Sequence, residues 1–183
     1  MVEARGVLVG IKVVIVDPEQ ARKIFSKGYY GKPVGIRKPR SPDFNAPLEL
    51  SLIEALYLVE KGILEVEDAK GSKLGFKELR DYAMKHIPRF EPLYMVYRDL
   101  REKGFVVRSG LKFGADYAVY EFGPGIDHAP YLVHVMPLEE KIDPIEIVRA
   151  GRLSHSVRKS FIIAAVNPRQ NKIKYVMFKW FKP

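Results

Sequence analysis

A histidine in a glycine-rich loop is the first candidate for chemistry in this sequence. His128 lies in the segment Gly123-Pro-Gly-Ile-Asp-His-Ala-Pro, next to Asp127 and between two turn signals. An imidazole in such a loop can exchange a proton near neutral pH. Lys159 is a second candidate, since it ends a basic helical segment where a cation meets the negative end of the helix. Taken singly, His128 is explained as simply by a solvated loop side chain without a role, and Lys159 by the electrostatics of a helix end.

Metal-dependent chemistry has little support in the sequence. The four histidines lack the close pairing of a zinc-binding helix, and cysteine is absent. Asp116 and Glu121 begin the carboxylate pattern of a restriction-type nuclease, but Gly123 stands where that pattern needs a lysine. The Gly-Lys-Ser/Thr triplet of a phosphate-binding loop is missing too. We therefore expect no metal and no cofactor.

Charge is segregated along the chain, which indicates a polyanionic partner. The 183 residues contain 31 basic and 22 acidic side chains, a formal net charge of +9. Residues 20–42 contain seven bases and residues 147–183 contain nine, with no acid in either segment, whereas residues 43–146 carry a net charge of −6. Because clustered cations release counterions when they bind phosphates, we expect a nucleic-acid partner.

Composition predicts a folded protein outside the membrane. Hydrophobic residues make up 47% of the chain and aromatic residues 11%, enough for a packed core. No apolar stretch approaches the ~18 residues of a membrane span, and the first residues lack the pattern of a signal peptide. We expect a soluble, cytoplasmic protein with no membrane partner.

Hydrophobic patterning predicts two parts of mixed α/β structure. We expect a small N-terminal α/β domain at residues 1–88, with a basic loop at 28–47, followed by a second domain at residues 89–183. The elements predicted for the first domain are a strand over 7–16, a helix over 19–27, a helix capped by Ser51 and Glu54, a strand over 63–66 and a helix over 75–86.

The second domain is predicted to begin with a helix and continue with alternating strands. Its elements are a helix over 91–103, strands over 105–109, 112–113, 117–122 and 131–136, a helix from Pro144 to about Lys159, and strands over 161–166 and 173–181. This order puts His128 in a loop between strands and Lys159 just before a strand.

Three motifs in the second domain resemble the catalytic domain of tRNA-splicing (tRNA-intron) endonucleases. They are Val96-Tyr-Arg-Asp-Leu-Arg-Glu-Lys-Gly-Phe-Val-Val-Arg-Ser-Gly-Leu-Lys-Phe-Gly-Ala-Asp-Tyr, His128-Ala-Pro-Tyr-Leu-Val-His-Val and Arg152-Leu-Ser-His-Ser-Val-Arg-Lys. They occur in the family's order, and the first domain resembles the family's small N-terminal domain. The resemblance implies an archaeal enzyme of crenarchaeal type, with an endonuclease-type C-terminal domain in which helices flank a central mixed sheet.

The resemblance also implies a catalytic triad of Tyr120, His128 and Lys159. In the family's reaction the tyrosine accepts the proton of the RNA 2′-OH, the histidine protonates the departing 5′-oxygen, and the lysine stabilises the charged phosphorus centre. The expected products are a 2′,3′-cyclic phosphate and a 5′-OH, without a metal. Because the usual pKa of tyrosine is about 10, we expect neighbouring cations to lower that of Tyr120.

The implied substrate is precursor tRNA, cut at the bulge-helix-bulge junctions between intron and exons. Arg152 matches a family arginine that stacks on a bulged base, and Trp180 is expected to form the other half of that sandwich. The basic loop resembles an insertion of crenarchaeal members. Four of its cations are predicted to contact RNA and to widen the range of accepted bulges: Lys32, Arg37, Lys38 and Arg40.

Assembly with a structural endonuclease subunit is the last implication. Self-sufficient family members have an acidic turn between their last two strands, which docks into a basic cleft of the opposing subunit. Here that turn, residues 167–172, contains two cations and no acid. We therefore expect an α2β2 heterotetramer. Two alternatives remain: a non-catalytic RNA-binding structural subunit of the same assembly, and a metal-dependent DNA nuclease of related topology.

Overall fold

The protein forms two compact units, Met1–Phe90 and Glu91–Pro183, which we call the N-terminal unit and the C-terminal unit. A computed structural model describes residues 1–37, 39, 41–156 and 158–178. Each unit contains one sheet with both parallel and antiparallel strands, so the prediction of a mixed α/β fold is confirmed. Within the described ranges, no helix is long and apolar enough to cross a membrane.

The N-terminal unit is a six-stranded sheet with three helices. Its elements are β1 Ala4–Val9, β2 Lys12–Ile15, α1 Pro18–Ser26, β3 Lys32–Pro33, β4 Leu48–Ser51, α2 Leu52–Glu60, β5 Leu64–Glu67, β6 Lys73–Leu74 and α3 Phe76–His86. The strands lie in the order β3-β4-β2-β1-β5-β6, and of these pairs only β1 and β5 run parallel.

The continuous strand predicted over residues 7–16 is wrong, because the segment is a hairpin. Gly10 adopts a φ of 57°, which reverses the chain and pairs Val7 of β1 with Val14 of β2. The Tyr82 hydroxyl donates to the Gly10 carbonyl over 3.1 Å and so fixes the turn. A glycine within a β-branched run therefore marks a turn in this protein.

Glu54 connects the start of α2 to the base of the basic loop. The predicted capping box is confirmed: the Glu54 backbone N–H donates to the Ser51 hydroxyl, and the Ser51 N–H donates back to Glu54 Oε2. The other carboxylate oxygen accepts the Gly31 N–H over 2.9 Å. Gly31 has a φ of 71°, and a Cβ there would lie 2.7 Å from the carbonyl oxygen of Glu49 in β4, so this position near the start of the loop requires glycine.

The C-terminal unit is a five-stranded sheet with a long helical crossover. Its elements are α4 Phe90–Glu102 (which begins at the last residue of the N-terminal unit), β7 Val106–Ser109, a 3₁₀ turn Leu111–Phe113, β8 Tyr117–Tyr120, β9 Tyr131–Pro137, α5 Pro144–Ser156, β10 Ser160–Asn167, a 3₁₀ turn Pro168–Gln170 and β11 Lys172–Phe178. The order is β11-β10-β9-β8-β7, with β9 and β10 parallel and the other pairs antiparallel.

Three predicted bounds in this unit are wrong. Residues 112–113 belong to a 3₁₀ turn and not to a strand, β8 ends at Tyr120 and not at residue 122, and α5 ends at Ser156 before Lys159. The predicted end of the last strand, residues 179–181, lies outside the described residues. Lys159 therefore lies in the connection before β10, whereas Tyr120 is the last residue of β8.

Gly110 allows the chain to turn tightly before β8. A Cβ on this residue would lie 2.7 Å from the Tyr117 carbonyl carbon and 2.9 Å from the Ala115 oxygen. The Gly110 N–H donates to the Asp116 carbonyl over 3.0 Å, which closes the turn. The tight turn at this glycine leads into β8, the strand whose last residue is Tyr120.

Candidate active site

The ends of three neighbouring strands meet at one edge of the C-terminal sheet. Because β8 and β9 are antiparallel and β9 and β10 are parallel, the last residue of β8 lies beside the first residues of β9 and β10. Val119 pairs with Tyr131, and Tyr131 pairs in turn with Ser160. Tyr120 and Lys159 each lie one residue beyond this row, so the register brings both to the same edge.

Tyr120 is half-buried, and its surroundings disfavour ionisation. Burial raises the pKa of the phenol above its usual value; the positive charge of Arg108 offsets part of this, and the negative charge of Asp127 adds to it. A neighbouring cation thus acts in the expected direction, but the net effect is a raised pKa. Burial outweighs the effect of Arg108.

The loop after Tyr120 is closed by the carboxylate of Asp127. Its Oδ2 accepts the N–H groups of Glu121 and Phe122 over 2.9 and 3.4 Å, and its Oδ1 accepts the N–H of Gly123 over 2.7 Å. Gly123 and Gly125 adopt φ angles of 134° and 93°, which a residue with a side chain rarely adopts. The glycines therefore allow a tight loop whose N–H groups converge on the Asp127 carboxylate.

His128 and Lys159 flank the next stretch of this loop. His128 follows Asp127 directly and is exposed to solvent. The Lys159 ammonium donates to the carbonyl of Ala129, the residue after His128, and lies 5.2 Å from the centre of the Phe113 ring. The Ser160 N–H donates to the Pro130 carbonyl over 2.8 Å, so the start of β10 is fixed next to the histidine loop.

Burial and neighbouring charges have opposing effects on the pKa of Lys159. Burial lowers the pKa of its ammonium below the usual value, Lys112 lowers it further, and the negative charge of Asp127 raises it. Asp127 therefore acts on Tyr120 and on Lys159 alike. From the sequence, Asp127 is distinguished only as a neighbour of His128. Its position after a Gly-Pro-Gly turn, where an acid can cap successive N–H groups, was the available signal.

The carboxylates that began a nuclease-like pattern have other partners. Asp116 Oδ2 accepts the N–H of Val135 over 2.7 Å and lies 3.2 Å from His134 Nδ1, while Glu121 accepts the Tyr131 hydroxyl over 3.0 Å. Among the residues whose placement is described, no group of three or more histidine or acidic side chains lies together as metal ligands would.

The residues predicted to bind RNA are exposed where the structure describes them. Arg152 is exposed on α5 of the C-terminal unit, and Lys32 and Arg37 are exposed in the N-terminal unit. The other three predicted residues lie outside the described part of the chain: Lys38, Arg40 and Trp180.

Sequence comparison identifies both units. Residues 4–80 match the family model of the tRNA intron endonuclease N-terminal domain, and residues 90–175 match that of the catalytic C-terminal domain. The chain belongs to the tRNA intron endonuclease family. A tRNA-splicing endonuclease of Hyperthermus butylicus is 60% identical over 179 residues, which cover 98% of this chain and 99% of that protein. A tRNA-splicing endonuclease of Saccharolobus solfataricus is 50% identical over 179 residues, which cover 97% of this chain and 98% of that protein.

The match confirms two expectations drawn from the resemblance. These relatives come from archaea, as expected, and the chain contains the family's catalytic domain as well as its N-terminal domain. The prediction of an RNA-cleaving enzyme of the tRNA intron endonuclease family is thereby confirmed. The strand ends that gather Tyr120, His128 and Lys159 all lie within the part that matches the catalytic domain.

Proposed function

We propose that this chain is the catalytic subunit of a tRNA-splicing endonuclease that cleaves precursor tRNA at bulge-helix-bulge junctions. In this proposal Tyr120, His128 and Lys159 carry the reaction without a metal and leave 2′,3′-cyclic phosphate and 5′-OH ends. The single observation in its favour is that two strand ends and one clamped loop bring these three residues to the same sheet edge.

The first step is attack by the RNA's own 2′-OH, with Tyr120 as the base. The phenolate of Tyr120 accepts the 2′-OH proton as the 2′-oxygen bonds to phosphorus. Because burial raises the pKa of this tyrosine, the phenolate is scarce at neutral pH. Arg108 favours the phenolate, since its positive charge lowers the pKa.

The second step is departure of the 5′-oxygen, with His128 as the acid. Its exposure lets the imidazolium reach the leaving oxygen, where it supplies the proton that completes the 5′-OH product. Lys159 stabilises the charge that develops on the phosphoryl oxygens. A lysine ammonium has three N–H donors, so the bond to Ala129 leaves capacity for a phosphate oxygen.

A cleavage assay with a bulged precursor tRNA in EDTA tests this proposal. We expect full cleavage and cyclic phosphate ends, and a drop of roughly 10²–10⁴-fold in rate for His128→Ala. His86→Ala is the matched control, because His86 is an exposed histidine at the end of α3. Products with 3′-OH ends, or loss of cleavage with EDTA, would contradict the mechanism. RNA binding without cleavage by the complete assembly would instead favour the non-catalytic subunit.

Assembly into an α2β2 heterotetramer with a structural subunit is part of the proposal. The turn between β10 and β11 exposes Arg169 and Lys172, and like charges would oppose docking into a basic cleft of an identical chain. The strand β11 lies at one end of the sheet order, and its Val176 and Met177 are 50% and 40% exposed, which suits pairing with another subunit. A fully active homotetramer, found by measuring mass and cleavage of the purified chain, would contradict this.

The basic loop is proposed to extend the range of substrates. Glu54 accepts a hydrogen bond from the base of the loop, and the Tyr30 ring stacks on that of Tyr57 with 6.2 Å between centres, so the start of the loop is held in place. Among the described cations of the loop, Lys32 and Arg37 are exposed and available to phosphates. We expect alanine at all four cations to spare two-bulge substrates and to impair relaxed ones: Lys32, Arg37, Lys38 and Arg40. Equal loss on both substrates would count against a role in specificity.

Base stacking at the junction is assigned to Arg152 with Trp180. The exposed position of Arg152 on α5 supports this. Trp180→Ala should weaken binding of bulged RNA much more than it lowers the free energy of unfolding. A collapse in thermal stability with unchanged affinity would contradict the assignment.

A further inference from the structure

The carboxylate of Asp127 occupies an unusual place for an acid in a protein that binds RNA. A negative charge beside a phosphate-binding site repels the substrate, yet Asp127 acts electrostatically on both Tyr120 and Lys159. Its oxygens are turned inward, where they accept three successive N–H groups of the loop. Because this negative charge opposes RNA binding, we look for a role in the site that requires a charged side chain.

The hydrogen bonds of Asp127 join two parts of the chain that contain candidate catalytic residues. The donors belong to residues 121–123, which continue directly from Tyr120 at the end of β8. Asp127 is bonded covalently to His128, and the next residue, Ala129, accepts the Lys159 ammonium. The carboxylate thus ties the chain after the tyrosine to the chain before the histidine.

We propose that Asp127 is a positioning residue, which sets the separation of the Tyr120 phenol and the His128 imidazole before RNA binds. This inference rests on the proposed function. Glycines at positions 123 and 125 and an exposed loop would otherwise leave residues 121–128 many conformations. Hydrogen bonds to an ionised acceptor are stronger than neutral ones, so the charged carboxylate selects one conformation.

Asparagine at this position should separate positioning from folding. An amide keeps one acceptor oxygen, which can still serve Gly123, but its NH₂ group would face the N–H donors of Glu121 and Phe122 and could not accept from them. The same change removes a negative charge beside the phosphate. Asp127→Asn should therefore slow the chemical step while RNA binds as tightly as before or more tightly. General damage to the fold would weaken both.

The experiment measures single-turnover cleavage and RNA affinity on the complete assembly. We expect Asp127→Asn to lower the cleavage rate constant by about 10- to 100-fold, with the RNA Kd unchanged or reduced. Asp127→Glu, which retains the charge, should recover part of the rate. The matched control is Asp68→Asn, since the carboxylate of Asp68 also accepts two loop N–H groups, those of Lys70 and Ser72, in the N-terminal unit.

A second measurement does not depend on activity. Amide hydrogen exchange of Glu121 and Gly123 should accelerate in Asp127→Asn, whereas Asp68→Asn should leave these amides unchanged. A cleavage rate within twofold of the wild type, an RNA Kd that rises in parallel with the loss of rate, or unchanged exchange would each overturn the proposal. If the wild-type assembly cleaves no RNA, the proposed function fails, and exchange alone then decides whether Asp127 fixes the loop.

Discussion

Replacing Gly110 by alanine should destabilise the C-terminal unit because one added methyl group meets close backbone atoms. Gly110 has a φ of −93° and a ψ of 0°, which alanine can adopt, so backbone strain is not the cause. The added Cβ would lie 2.7 and 2.8 Å from the carbonyl carbon and nitrogen of Tyr117, and 2.9 Å from the Ala115 oxygen. All three are backbone atoms, which cannot move aside as a side chain could.

The size of the effect follows from how far that backbone must move. Carbon atoms pack at about 3.5–4.0 Å, so the turn must open by roughly 0.7 Å or more. Such a shift weakens the hydrogen bonds from the Gly110 N–H to the Asp116 carbonyl and from the Ala115 N–H to the Gly110 carbonyl. Overpacking contributes about 1–3 kcal/mol and each bond about 1 kcal/mol. We expect a loss of about 3–5 kcal/mol in the free energy of unfolding.

Guanidinium unfolding of Gly110→Ala and of Gly151→Ala measures this effect against a matched control. Gly151 lies in α5, and a Cβ there meets no atom within 4 Å. Alanine at this helical position should raise stability by about 1 kcal/mol. The reasoning fails if Gly110→Ala loses less than about 1 kcal/mol, or if the two variants are destabilised equally.

Three further predictions concern single contacts. Lys112→Gln should raise the pKa of Lys159, because the positive charge of Lys112 lowers it; an NMR titration of the Lys159 side chain measures this, and the pH above which cleavage falls should rise with it. Arg101→Met should lower the free energy of unfolding by about 3 kcal/mol in a urea titration, because the nearly buried guanidinium donates to the Tyr97 hydroxyl and to a β7 carbonyl. Ser51→Ala should lower it by about 1 kcal/mol, since the hydroxyl caps α2, and unchanged unfolding would refute the role of the capping box.

Local signals predicted the elements that depend on nearby residues alone. Ser51 and Glu54 identify the start of α2, and Pro144 identifies that of α5, because capping and proline effects act within one helical turn. The hairpin at Gly10 and the 3₁₀ turn at residues 111–113 were missed. Both depend on distant backbone: the first on pairing with β5 and β4, the second on the close approach of Tyr117 to Gly110.

The candidate site, too, has features that the sequence predicts and features that depend on distant parts of the chain. Resemblance supplied the identities of Tyr120, His128 and Lys159, and the strand pattern supplied their places beside strand ends. The bond from Lys159 to Ala129 spans 30 positions and depends on a strand register that no local pattern encodes. The raised pKa of Tyr120 was missed for a related reason: burial is a property of the assembled sheet, whereas the charge of Arg108 is visible in the sequence.

The candidate site is complete only after the parallel strands β9 and β10 have paired. Parallel pairing is slow because it requires the closure of a long loop. The strands pair through a crossover that contains α5, so the chain must close a long loop before any of their contacts form. The antiparallel strands β7, β8 and β9 can pair with shorter loops. A chain that has folded this far has Tyr120 and the histidine loop in place, but Lys159 has not yet joined them at the start of β10. Because Lys159 directly precedes β10, we expect a C-terminal unit that has not yet paired β10 with β9 to hold only part of the proposed triad.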